Sequence, residues 1–332
     1  MINKTFAALP LSLAAALFLA ACGGGSDSDS SGVTAAANAP SKFRSTDDVA
    51  VLVDGIGNTV GDIDFGLGSP KHSVKARAKG GALHKSSLPP KATETEACDS
   101  GSVSYTDDTT TAFDSDGTVV FNNCRDTSSS GSFTFSSSSN GKASSKCTDT
   151  AQTADVCNAD TSRLADGANG STTLDFAFSS KDSSTSGNDS DTELKLKADV
   201  TSATSGSSET TRISGSLLFN DKIERVSGSA VFENLTSVFT TTGTGSSETI
   251  NGAFGFATST SKCAIGKVTI KTDSPLITDS SLTTTAGRVS VTDGSGQTAT
   301  VQFNADGSYT VTLPNGATKT YDDSFDSDVF CQ

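Results

Sequence analysis

From Cys98 to the end of the chain, apolar and polar residues alternate in short runs. Val103 and Tyr105 stand out in GSVSYT, Val119 and Phe121 in GTVVFNN, and Phe133 and Phe135 in GSFTFSS. Leu174, Phe176 and Phe178 follow in TTLDFAFSS, then Leu194, Leu196, Ala198 and Val200 in TELKLKADV. The pattern resumes at Val268 and Ile270, Val289 and Val291, Val301 and Phe303, and Tyr309, Val311 and Leu313. A period of two sorts side chains onto two faces of a strand, the mark of an antiparallel sheet with one wet face. Turns rich in Asp, Asn and Gly separate the runs: DSDG at Asp114, NADG at Asn304 and PNG at Pro314. The expected fold is all-β: a large curved antiparallel meander of about a dozen strands, partly closed like a barrel or clam, with one short N-terminal helix packed near it. Two stacked β domains, split near Gly266 to Pro275, are the alternative.

Three segments share the pattern apolar-x-Gly-x-apolar-x-Phe: ISGSLLF from Ile213, VSGSAVF from Val226 and INGAFGF from Ile250, with glycines at Gly215, Gly228 and Gly252. Their unequal intervals exclude a solenoid. Glycine within a strand marks a bend or a close approach, so a row of them is expected to curve the sheet, with the apolar face of the Ser45 to Phe65 segment as what it curves around. That segment, STDDVAVLVDGIGNTVGDIDF, places Val49, Leu52, Val53, Ile56, Val60 and Ile63 at helical spacing after Ser and Asp residues suited to a cap and first turn.

The remaining boundaries come from shifts in composition. Residues 1–21 read as an export leader, 22–44 as an anchor and Gly/Ser/Ala tether, 45–66 as the short helical segment, 67–97 as a basic linker, and 98–332 as the acidic β domain. The linker holds Lys71, Lys75, Arg77, Lys79, Lys85 and Lys91, both histidines (His72 and His84), and Pro70, Pro89 and Pro90. A solvated linker is the preferred reading over an arm that binds anionic lipid or glycan.

The 332-residue chain carries a formal charge of -14. From Glu94 onward there are 31 acidic against 15 basic residues. Such a surface lacks the basic footprint that releases counterions from a polyanion, which argues against nucleic acid as a partner.

The leader has Lys4 ahead of an apolar run from Phe6 to Ala21, short and flanked as a signal sequence rather than a membrane span. It ends in LAAC, Leu19 to Cys22. This end resembles the lipobox of bacterial lipoproteins, which implies that Cys22 is acylated, becomes the first mature residue and ties the protein to a membrane. By the same resemblance, Gly23 rather than an aspartate after the cysteine implies the outer membrane. CDSGSVSYTDDTTTAFDSDGTVVFNNC, Cys98 to Cys124, and the stretch from Ser274 to Val311 are similar to β-rich proteobacterial lipoproteins, a family with no assigned activity. The resemblance implies fold and address and adds no site.

Six cysteines follow Cys22, an even number that suits three disulfides in an exported chain. Of the fifteen pairings one has geometric support: if the segments around Val103 and Val119 pair in a hairpin, Cys98 falls opposite Cys124. The sequence does not choose among the others; Cys147 with Cys157 would close a small loop, and Cys263 would hold the C-terminus through Cys331. No C-x-x-C pair suggests zinc.

Candidate chemistry is sparse. Both histidines lie in the proline-flanked linker, so a Ser-His-Asp triad lacks a preorganised base. The Ser-x-x-Lys matches at Ser139 and Ser259 lack their companion motifs. Asp107, Asp108, Asp114 and Asp116 in one cluster, and Asp322, Asp323, Asp326 and Asp328 in another, offer carboxylates for calcium, but neither has EF-hand spacing and turn chemistry accounts for both. No catalytic residue, metal or cofactor is therefore assigned. The expected role is non-enzymatic: a structural or interaction protein of the cell envelope, on its periplasmic or external face, engaging an envelope or surface partner. The alternative is a carrier of an apolar ligand or lipid on a concave face lined by Phe176, Phe178, Phe219, Phe232, Phe254 and Phe256. A hydrolase ranks third.

Overall fold

The computed structural model describes residues 30–61, 92–107, 115–130, 133–149, 168–184, 190–223, 225–259, 266–281 and 283–322. Among the described residues two helices come first, α1 (Ser30–Asn38) and α2 (Thr46–Gly61). The strands are β1 (Ala92–Ala97), β2 (Ser100–Asp107), β3 (Ser115–Ser130), β4 (Phe133–Asp149), β5 (Ala168–Ser184), β6 (Ser190–Ser205) and β7 (Ser208–Asp221). They continue as β8 (Val226–Thr242), β9 (Gly245–Thr258), β10 (Gly266–Asp279), β11 (Thr284–Thr292), β12 (Thr298–Phe303), β13 (Tyr309–Thr312) and β14 (Thr318–Tyr321). Strand neighbours follow chain order from β1 to β14, so the expected antiparallel meander is present and its order is open rather than closed into a barrel.

The chain divides into a first unit, residues 1–63 with 212–332, and a second unit, residues 64–211. Strand structure starts at Ala92, ahead of the expected boundary at residue 98, and Gly266 to Pro275, the boundary of the alternative reading, lie inside β10.

In the second unit the alternation becomes apolar rows across strands. Val103, Phe121, Gly141, Phe176 and Leu196 form one row over β2 to β6, and Tyr105, Val119, Ala143, Leu174 and Ala198 the next. The reverse face carries Lys142, Asp175 and Lys197, with Lys197 3.7 Å from Asp175. Val103 pairs with Phe121, two residues from the expected partner Val119. A shift of two keeps every side chain on its face, so hydrophobic patterning cannot distinguish the two registers.

The first unit ends in three hairpins built alike. Asp293, Asn304 and Leu313 each donate their amide to the carbonyl four residues on, and accept from the amide of Gly296, Gly307 and Gly316. Those glycines have φ of 82°, 85° and 84°, where a Cβ is unfavourable. Each unit also contains the same kink. Val120-Phe121-Asn122-Asn123-Cys124 in β3 and Val231-Phe232-Glu233-Asn234-Leu235 in β8 place an asparagine at φ 48° and 49° at a register shift, followed by a buried apolar residue. In both cases the preceding strand, β2 or β7, carries Ser-Gly-Ser, at Ser100 to Ser102 and Ser214 to Ser216.

The segment expected as a tether instead carries α1. Ala35, Ala36 and Ala37 favour helix, and Val33 and Ala37, one turn apart, are buried against Val231 and Ala257. Polar composition suggested slack chain; a partner surface on β8 and β9 supplies the burial that nine residues lack by themselves. α2 matches the expected helix. Ser45 Oγ accepts the Asp48 amide at 3.3 Å while Asp48 Oδ2 accepts the Ser45 amide at 3.1 Å, a capping box. Val49 to Leu52 are buried, whereas Ile56, Val60 and Ile63 lie outside the described side chains. Of the glycine-bearing strands, β8 and β9 are covered by α1, while the described helix of the Ser45 to Phe65 segment, α2, packs on β13 and β14. Gly215 and Gly252 do take positive φ, 148° and 136°.

Candidate functional site

Polar and titratable groups converge where the N-terminal strap, residues 30–53, meets the strands of the first unit. α1 lies over the face carrying Val231, Gly255 and Ala257. Ala37 O sits so close to Gly255 that a Cβ there would collide with it. The chain then runs beside β10: Lys267 N donates to Ala39 O at 2.7 Å and Ser41 N to Lys267 O at 3.1 Å, a parallel bridge centred on Pro40. Gly294, whose hydrogen side faces Pro40, donates its amide to Ser41 O at 3.0 Å.

Beyond this point the strap is on the other side of the sheet. Phe232, Phe254 and Val268 share a row opposite in parity to Val231, Gly255 and Lys267. Parity carried through Ile270, Val291, Val289, Val301 and Val311 reaches Lys319, so α2 covers the opposite face.

Two carboxylates hold this crossing. Asp293, buried at the β11–β12 turn, accepts Phe43 N at 3.2 Å through Oδ2, and Ser295 N, Ser295 Oγ and Gln297 N through Oδ1. Burial pushes its carboxyl up, but the bonds from Ser295, Gln297 and Phe43 outweigh burial and hold it below the ordinary aspartate range. Asp47 accepts Lys319 Nζ at 2.7 Å and the Tyr321 hydroxyl at 2.6 Å. Burial raises this carboxyl too, and the two donors outweigh it, leaving it lowered. Burial and then the bond to Asp47 push the Tyr321 phenol far up, so it stays protonated and donates. Tyr321 stacks on Tyr309 at 5.4 Å, which meets Phe303 at 5.8 Å, and Lys319 Nζ lies 4.8 Å from the Tyr321 ring. These groups satisfy one another; chemically the arrangement is a latch.

The expected ligand-face phenylalanines separate. Phe232 and Phe254 are paired across β8 and β9, ring centroids 5.6 Å apart, and both are buried; Phe256 and Phe219, in the same unit, are half-buried. Phe176 and Phe178 belong to the second unit, where Phe178 is buried opposite Leu194 and Phe176 is half-buried.

Cys98 and Cys124 form the expected disulfide, with Cα atoms 5.4 Å apart. The route differs from expectation. Cys98 sits in the β1–β2 turn, its amide donating to Gly101 O, and that turn folds onto β3 through Thr127 N to Asp99 Oδ2 at 2.6 Å. Asp126 and the two sulfurs lie within 4.8 Å of one another, but bridged sulfurs present no thiolate to a metal. Cys147 is buried and disulfide-bonded. Cys22, Cys157, Cys263, Cys331, His72, His84, Asp108, Asp114 and the cluster Asp323, Asp326 and Asp328 lie outside the described residues, as do the side chains of Asp107 and Asp116. The basic linker also lies there, except for 92–97, which form β1.

The strap latch is the part that sequence reading missed. Ser45 and Asp48 signalled the cap, but nothing local marks Asp293 as more than a turn residue. No known protein family, curated protein or solved structure matches the chain.

Proposed function

We propose that this protein is a lipid-anchored component of the bacterial outer membrane, with a non-enzymatic structural or interaction role. The observation that carries the reading is Cys22 itself, placed directly after an apolar leader and before a run of Gly, Ser and Asp. No described helix is long and apolar enough to cross a membrane, and several acyl chains on one cysteine would supply stable anchoring. The acidic residues of the latch are spent on internal bonds, in keeping with a structural role.

Mass spectrometry of the mature N-terminal peptide from cells grown with labelled palmitate tests the anchor. Acylated Cys22 is expected, and Cys22→Ala should leave the chain unlabelled; an unmodified mature N-terminus elsewhere overturns the reading. Protease shaving of intact cells then distinguishes external display from a periplasmic face.

One observation favours a second reading, a carrier of an apolar ligand. Phe121 and Phe176 sit in one row of the second unit and are only half-buried, unlike Phe232 and Phe254. Native mass spectrometry of the non-lipidated chain would reveal a bound lipid mass under this reading, and its absence would count against it.

A further inference from the structure

Along β4, the face that carries the apolar rows of the second unit is built from small residues: Ala143, Gly141, Ser139 and Ser137. The flanking strands are larger. Val119, Phe121 and Cys124 on β3 stand opposite Ala143, Gly141 and Ser139, and Leu174, Phe176 and Phe178 on β5 stand opposite the same three positions. The result is a trough with β4 as its floor. Neighbouring strands lie about 4.8 Å apart, so the walls are about 10 Å apart, and the floor from Ala143 to Ser137 runs about 20 Å. Gly141 keeps that floor low where β5 closes in: its φ is 121°, and a Cβ there would collide with Asp175 O and the Phe176 backbone. Phe121 packs with Val103, Val119 and Cys124, on the β2–β3 side of its wall. Ala143, Gly141, Ser139, Phe121, Leu174 and Phe176 are all half-buried, whereas Cys147 beyond one end and Ser137 at the other are buried.

Charge separates the two faces. Lys142, Lys146, Lys181, Lys195 and Lys197 all fall on the reverse face. On the trough face, the row at Ser137 consists of Asp126, Ser137, Ser180 and Thr192. Ser180 and Thr192 bond each other at 2.8 Å, and the exposed Asp126 accepts the Asp99 amide at 3.3 Å through Oδ1. The hydroxyl of Ser137, a residue only 8% exposed, is bonded to no described group. A buried hydroxyl calls for a partner, and a carboxylate in the same row disfavours an anionic one. We propose that this trough binds a single acyl chain whose uncharged, hydroxyl-bearing head lies at Ser137 and Asp126. Its floor is long enough, since one acyl chain reaches across half of a hydrocarbon core about 30 Å thick. The inference rests on the ligand-carrier reading above and gives that reading its site and its ligand class.

The test is titration of the non-lipidated full chain with 1-oleoylglycerol and with oleate, followed by native mass spectrometry. One 1-oleoylglycerol per chain is expected, with oleate about fivefold weaker because of Asp126, and Asp126→Asn should close that gap. Ala143→Leu and Ser139→Leu each take the room of about two methylenes and should weaken binding about tenfold, whereas Thr173→Leu on the reverse face should leave it unchanged. A photoreactive diazirine analogue of 1-oleoylglycerol, used on the unsubstituted chain, should label β3 to β5. Labelling confined to other strands, or binding that both trough variants leave unchanged, overturns the site while the carrier reading stands. Equal binding of oleate and 1-oleoylglycerol overturns the assignment of the head. A chain that takes up neither probe overturns the site and the carrier reading together.

Discussion

Tyr321 donates its hydroxyl to Asp47 at 2.6 Å across 274 residues of chain, tying the last strand of the sheet to the first turn of α2. Tyr321→Phe removes this donor but leaves Lys319 on the carboxylate. A bond to a charged group contributes about 1.5–3 kcal/mol, and with one partner remaining the lower end is expected. Urea denaturation followed by circular dichroism should show a loss of about 1.5 kcal/mol; an unchanged midpoint would mean that the latch does not stabilise the fold.

Asp293 and Asp47 make stability fall in acid. Their folded-state pKa values lie below the unfolded aspartate value of 3.8, so the contribution is present above that value and is lost as pH drops through the folded values. Glu248 has the opposite sign. Burial raises its pKa above 4.5, partly offset by the hydrogen bond from Ser237, so it favours the fold while protonated and that benefit declines as pH rises from 4.5 toward the folded value. Denaturation midpoints measured from pH 3 to 7 should therefore lose part of their acid slope in Asp293→Asn, and part of their decline above pH 4.5 in Glu248→Gln.

The Cys98–Cys124 disulfide closes a short loop, with 26 residues of sequence separation, in the second unit. The double variant Cys98→Ala, Cys124→Ala should lose about 2–4 kcal/mol. Because Asp99 and Asp126 still clasp the turn to β3 through backbone amides, local pairing of β2 and β3 should survive. Hydrogen exchange of Val103 and Phe121 amides measures this, and their complete loss of protection would contradict it.

Phe254 and Phe176 provide a contrast. Phe254 is 1% exposed and packed against Phe232, so Phe254→Ala should cost about 3–5 kcal/mol. Phe176 is half-buried, and its truncation should cost less than half as much. Equal losses in thermal or urea unfolding would show that Phe176 is core, removing the observation behind the ligand-carrier reading.

The alternation of Leu194, Leu196, Ala198 and Val200 was enough to assign both strand and face, because a period of two leaves only one way to bury all four side chains. The Asn/Gly turns at Asn304 and Pro314 and the Ser45 cap were equally local, since each is decided by backbone geometry within five residues. Register was not: Val103 facing Phe121 rather than Val119 buries the same residues, so the choice needed the neighbouring strands. Nor was α1. Its nine residues are too few and too polar to hold a helix alone, and only the surface of Val231, Gly255 and Ala257 makes Ser30–Asn38 helical within the segment 22–44 that composition reads as a tether. Patterns with a short period are written in the residues that carry them, whereas the latch joins Phe43 to Asp293 and Asp47 to Tyr321, groups that nothing but the completed sheet brings within bonding distance.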